Sequence, residues 1–122
     1  QLNSNVEIIA DVLVKHAQPL VPTSAQAAVE DCIQRGHADG VIVTGAGTGK
    51  PIDLDLLKTV QTAANGKPVL LGSGVTPLNA DQLAPYSQGG IVGSSLKCDG
   101  LLHAPVDINR VKALAAQLKK YW

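Results

Sequence analysis

The chain has 122 residues, 45% of them hydrophobic and 16% charged, with ten basic against ten acidic side chains and a formal net charge of zero. That length holds a single domain, spanning residues 1–122. The balanced charge lacks the clustered lysine and arginine with which a protein neutralises nucleic-acid phosphates or an anionic membrane surface.

The longest apolar run, around Val69 to Leu71, falls far short of the roughly 18 residues that a membrane-spanning helix requires. The sequence opens at Gln1 and contains no methionine, so it reads as a piece of a longer protein. Cys32 and Cys98 sit in different kinds of segment, a usage that fits reduced thiols in a cytoplasmic compartment. Aromatic residues make up 2% and phenylalanine is absent. A core of Val, Ile, Leu and Ala is the filling of a parallel sheet flanked by helices.

Four apolar, β-branched stretches recur, at residues 7–15, 40–44, 68–72 and 89–93, and each leads through a Gly- or Pro-containing turn into a helical pattern. After the first, Thr23-Ser24-Ala25-Gln26 offers a capping box. Ala25, Ala28, Val29, Cys32 and Ile33 then follow at helical spacing, and Gly36 closes the helix. After the second, Asp53 caps a helix carrying Leu54, Leu57, Val60 and Ala64, which Gly66 ends. After the third, Thr76-Pro77 supplies an N-cap and a first-position proline for a short helix reaching about Ala84. After the fourth, Asp107 caps a last helix carrying Val111, Leu114, Ala115 and Leu118. Strand ends at Lys15, Thr44, Gly72 and Gly93 lie 29, 28 and 21 residues apart, a βαβαβαβα array with right-handed crossovers. A complete (β/α)8 TIM barrel takes about 250 residues. The expected class is therefore α/β: four βα units forming the C-terminal half of a barrel, with the N-terminal half absent from this chain.

Period-2 alternation in the first strand puts Ile8, Ala10, Val12 and Val14 on one face and Glu7, Ile9, Asp11, Leu13 and Lys15 on the other. In a barrel the second set points inward, with Lys15 near the C-terminal mouth and Asp11 below it. Buried charges are paired or functional, so Lys15 and Asp11 are the candidate catalytic pair. The bland alternative is an ion pair that fills the interior. As a functional group Lys15 could hold a phosphate or carboxylate, act as an acid or base, or form a Schiff base. His16 follows as a weaker loop contact. No histidine pair has metal-ligand spacing and there is no Cys-x-x-Cys, so no metal is expected from this chain alone, though Asp11 and His16 could contribute to a site with residues outside it; no cofactor is expected.

Residues 44–51, Thr-Gly-Ala-Gly-Thr-Gly-Lys-Pro, invite a nucleotide-loop reading and fail it. A P-loop needs Gly where Thr44 stands and Ser or Thr where Pro51 stands, and the dinucleotide fingerprint needs Gly where Lys50 stands. What remains is either a plain turn or a glycine-rich loop that closes over a ligand, with Thr44, Thr48 and Lys50 as polar contacts. A stronger signal is the pair Leu71-Gly-Ser-Gly-Val-Thr76 and Ile91-Val-Gly-Ser-Ser-Leu-Lys97, at the ends of what would be strands seven and eight. Barrels commonly hold phosphate between those two loops, on backbone N–H groups and a short extra helix. Gly72, Ser73, Gly74, Gly93, Ser94 and Ser95 are the expected phosphate contacts, with residues 94–99 as the short helix. Lys97 either faces the anion or solvates the surface.

The stretches Ala10-Asp-Val-Leu-Val-Lys-His16, Val43-Thr-Gly-Ala-Gly-Thr-Gly49, Val69-Leu-Leu-Gly-Ser-Gly-Val75 and Ile91-Val-Gly-Ser-Ser-Leu-Lys-Cys-Asp-Gly100, with Asn109-Arg110 opening the last helix, resemble the BtpA/SgcQ family over nearly the whole chain. The resemblance implies a ribulose-phosphate-binding-type barrel. It also implies a photosystem I biogenesis role, peripheral to the thylakoid membrane, in photosynthetic members. It brings no catalytic assignment. Two functions follow as expectations. One is a protein, enzyme or sensor, that binds a small phosphorylated metabolite. The other is a non-catalytic assembly scaffold. In either case the exposed first and last strands require a partner, the missing N-terminal half-barrel or a second copy, because an unpaired edge aggregates.

Overall fold

The computed structural model describes residues 5–14, 17, 19–45 and 50–122. Four parallel strands, β1 (Ile9–Val12), β2 (Gly40–Val43), β3 (Val69–Leu71) and β4 (Gly89–Gly90), form one sheet in sequential order β1-β2-β3-β4. The connecting helices are α1 (Ala25–Glu30), α2 (Leu54–Ala63) and α3 (Ala80–Leu83), and α4 (Ile108–Leu118) follows β4. The α/β class and the four βα units read from the sequence are present.

The strands alternate as expected. Val12, Val41, Val43, Val69 and Leu71 are buried in one cluster with Val29 of α1, Leu57 and Val60 of α2, Ala80 and Leu83 of α3, and Leu114 and Leu118 of α4. Each fully buried side chain of this size stabilises by about 1.5–3 kcal/mol. On the opposite face the register sets Asp11 beside Ile42 and Ile42 beside Leu70. There Ile42 and Leu70 are only partly covered and Asp11 is exposed. All four helices therefore contribute to one side of the sheet, and among the described residues the other face lies open.

The caps are partly as read. Asp53 accepts from the amides of Asp55 and Leu56, and Asp107 from those of Asn109 and Arg110. In α1 the cap is Ser24, which accepts from Ala27 N–H, while the Thr23 hydroxyl turns back to the Val21 carbonyl. The capping position thus lies one residue later than the Thr23–Gln26 box. Beyond Glu30 the helix widens into a π turn over Asp31–Arg35, closed by the Gly36 amide on the Asp31 carbonyl. The third helix starts at Ala80 rather than at Pro77. Asn79 Oδ1 takes the Thr76 amide at 2.8 Å and holds residues 76–79 as a turn. The first strand stops at Val12 because Leu13 adopts φ +56°, which breaks the extended alternation before Lys15.

One polar cluster ties α3 to α4. Asp81 accepts from Lys120, from Gln117 and from Tyr121. The Lys120 ammonium and then the Gln117 amide hold the Asp81 carboxyl below its usual 3.8. A depressed carboxyl contributes stability that is present above the unfolded value and lost as pH falls through the folded one. The melting-temperature advantage of the wild type over Asp81→Asn is therefore expected to be constant above about pH 4 and to vanish in more acidic buffer. A thermal melt series of both proteins checks it.

Candidate functional site

The strand-to-helix loops after β2, β3 and β4 meet at one end of the sheet, and their glycines show how closely. A Cβ on Gly74, which sits at φ +74°, would fall 2.5 Å from the Lys50 carbonyl oxygen, and one on Gly45 would fall 2.2 Å from the same atom. The carbonyl of Lys50 is thus threaded between two backbones that have no side chain. A Cβ on Gly72 would meet Thr44 Cγ2 and Ile42 Cγ2 at 2.5 and 2.6 Å. Gly72 and Gly74 therefore have packing reasons to be glycine, beside any contact with an anion. Gly93 differs, because nothing lies within 4 Å of its missing Cβ.

The loops after β3 and β4 are bonded to each other. Ser95 Oγ donates to the Val75 carbonyl at 2.7 Å, which ties the loop after β4 to the loop after β3 at that point. Ile91 N–H still joins the sheet through the Leu71 carbonyl at 2.7 Å. The N–H groups of Gly93, Ser94 and Ser95 make no backbone–backbone bond among the described residues. The expected short helix is two 3-10 turns, Ser94–Leu96 and Cys98–Gly100, separated by the extended backbone of Lys97, with Asp99 at φ +53° inside the second. Lys97 is turned aside, its ammonium bonded to the Leu102 carbonyl. Neither of the two roles read for Lys97 is its main contact.

Two more residues shape this region: Asn79, which the sequence reading passed over, and Arg110, which it named only within the family resemblance. Asn79 donates from Nδ2 to the Gly74 carbonyl at 2.8 Å while its Oδ1 receives the Thr76 amide, so one side chain closes the loop after β3. Arg110 reaches from α4 with Nη1 3.5 Å from the Ser95 carbonyl and Nε 3.6 Å from Asp107 Oδ2. It is a cation loosely held beside the loop after β4. The signal for Asn79 was its place three residues after Thr76. That for Arg110 was its place at the start of a helix capped by Asp107.

Of the remaining candidates, Thr44, Lys50 and Asp11 fall within the described residues. Thr44 Oγ1 is buried and has no hydrogen-bond partner among the described residues. Lys50 is exposed. Asp11 lies on the open face two strands from Leu70, and it borders a cavity of about 350 Å³ with Leu13, Val14, Pro19 and Asp31. Lys15, His16 and Thr48 lie outside the described residues. A cavity of about 560 Å³ between α1 and α2, lined by Gln26, Glu30, Lys58 and Thr62, is on the helix layer and apart from these loops. Among the described residues no three His, Cys, Asp or Glu side chains come together as metal ligands, and no helix is long and apolar enough to cross a membrane. The Cys32 thiol is pushed up by burial and then by the neighbouring Asp31 carboxylate, and so it stays protonated and unreactive at neutral pH. Alkylation of Cys32 by iodoacetamide is expected to run slower than that of an unstructured cysteine peptide.

A sequence profile of the BtpA family matches residues 1–120. The chain belongs to the BtpA family. It is 47% identical over 113 residues to the photosystem I biogenesis protein BtpA of Synechocystis, a match covering 93% of this chain and 39% of that protein. An uncharacterized protein of Pyrococcus furiosus is 43% identical over 116 residues, covering 93% of this chain and 42% of its own. An uncharacterized mitochondrial protein of Caenorhabditis elegans is 34% identical over 113 residues, covering 88% and 38%. The chain thus spans about two-fifths of the length of these family members. No solved structure matches it.

Proposed function

We propose that this chain forms half of a (β/α)8 barrel and that its loops after β3 and β4 hold the phosphate of a small phosphorylated metabolite. The observation that carries the reading is the Ser95–Val75 bond. It brings two glycine-serine loops together while Gly93 faces open space and the amides of Gly93–Ser95 remain outside the backbone ladder. Backbone amides left outside the ladder suit an anion, because they supply donors without a counter-charge that must be desolvated. Arg110 beside Ser95 adds a cation. Asp11 of β1 and Thr44, which follows β2, are the described polar residues left for the rest of the ligand.

Length supports the barrel. The 113 matched residues that make up 39% of the Synechocystis relative imply a protein of about 290 residues, against about 250 for a complete barrel. A further half-barrel would cover the open face around Ile42 and Leu70 and pair the free edges of β1 and β4. In a closed barrel Asp11 would then point inward.

A thermal-shift screen of the protein against phosphorylated sugars, nucleotides and inorganic phosphate tests the reading. A ligand at 100 times its dissociation constant stabilises by about 2.7 kcal/mol. The expected result is a shift with one class of phosphorylated compound that Gly93→Asp abolishes, because the new carboxylate occupies the anion's place. No shift with any compound, from folded protein, overturns it. The second reading is an assembly scaffold without a ligand, favoured by the biogenesis role named for the Synechocystis relative, and that outcome would select it.

A further inference from the structure

The residues that close the sequence touch both arms of the candidate site. Gln117 Nε2 donates to the Pro77 carbonyl at 3.0 Å and to an Asp81 carboxylate oxygen at 2.7 Å. The Tyr121 hydroxyl donates to Asp81 at 3.1 Å, and Lys120 Nζ stands 2.7 Å from the same oxygen. Pro77 belongs to the turn that Asn79 holds against Gly74, so these contacts bear on the loop after β3. On the other arm the Trp122 ring lies over Gly90, where a Cβ would come within 3.1 Å of it. Gly90 is the last residue of β4, three before Gly93. The amides of Tyr121 and Trp122 both bond the Leu118 carbonyl, at 2.8 and 3.1 Å, and turn the chain back toward the sheet.

The Gln117 and Tyr121 contacts join positions 36 to 40 apart in sequence, so the regularity of α4 does not produce them. Asp81, Lys120 and Tyr121 are exposed, and exposed ion pairs contribute little to global stability. Their effect is instead to fix where the end of α4 stands relative to the loops after β3 and β4.

We propose that residues 117–122 act as a strap that positions the loops after β3 and β4, with Asp81 and Trp122 as its two positioning anchors. For its ligand consequence the proposal rests on the phosphate reading; for its mechanical consequence it does not. The test compares wild type, Asp81→Asn, Trp122→Leu and the conservative Asp81→Glu by amide hydrogen exchange and by calorimetric titration with inorganic phosphate. Exchange is expected to rise selectively over residues 72–76 in Asp81→Asn and over residues 91–95 in Trp122→Leu, while β2 and α2 exchange as in wild type. The phosphate dissociation constant should rise roughly threefold to thirtyfold in both variants, with Asp81→Glu partly restored. Unchanged exchange in both loops, or uniform acceleration throughout the fold, overturns the strap. If wild type takes up no phosphate, the phosphate reading fails and the exchange pattern still decides the strap.

Discussion

Alanine at position 74 should destabilise the protein by about 2–5 kcal/mol, the combined scale of a non-glycine residue held at positive φ and of a forced contact in a packed region. Gly74 sits at φ +74°, and its missing Cβ would stand 2.5 Å from the Lys50 carbonyl oxygen, a backbone atom with no rotamer to change. Relief requires the loop after β2 to separate from the loop after β3, which also moves Asn79 and Thr76. Gly66→Ala is the matched control. Gly66 lies at φ +87° with nothing within 4 Å of its missing Cβ, so alanine there meets only the conformational cost, about 1 kcal/mol. Chemical denaturation of both variants separates the two effects, and equal losses would remove the close approach of Lys50 from the account.

Leu57→Ala should cost about 2–5 kcal/mol. Leu57 is fully buried, on the inner side of α2, among the valines of β2 and β3 and the residues of α1 and α3. Truncation there opens a cavity at the centre of a sandwich only two layers thick. With one face of the sheet uncovered, the core has no second layer of side chains to close it. Val21→Ala, at an exposed loop position, should lie within about 0.5 kcal/mol of wild type. A Leu57→Ala loss no larger than that of Val21→Ala would mean that the core does not sit where the alternation of the strands places it.

The parts of the fold that rest on local chemistry were legible in the sequence. Asp53 and Asp107 cap their helices because a carboxylate followed by apolar residues at helical spacing needs no distant partner. Period-2 alternation in the first strand put Val12 on the helix side, and Val12 is buried in the core cluster. Where the sequence offered two competing local solutions, the reading went astray. Thr23 and Ser24 could each cap α1, and Thr76-Pro77 could open a helix or, with Asn79, a turn. The candidate site was legible as composition but not as contact. Gly72 and Gly74 look alike in sequence to Gly93, yet the first two are pressed against Ile42, Thr44 and Lys50 while the third faces open space. That difference arises between strands 20 to 30 residues apart. The same holds for Asp81, whose partners lie 36 to 40 residues downstream, and for Ser95, whose hydroxyl is committed to Val75.

The central claim is that an anion is held by the backbone of residues 93–95 where it meets the loop after β3. It is tested most directly by titrating inorganic phosphate into isotope-labelled protein and following the backbone amide resonances. The account predicts saturable shifts centred on Gly93, Ser94 and Ser95, with smaller ones at Gly74 and Val75 and none over the groove between α1 and α2. Shifts centred elsewhere, or no saturable shift at any amide of the two loops, would contradict it.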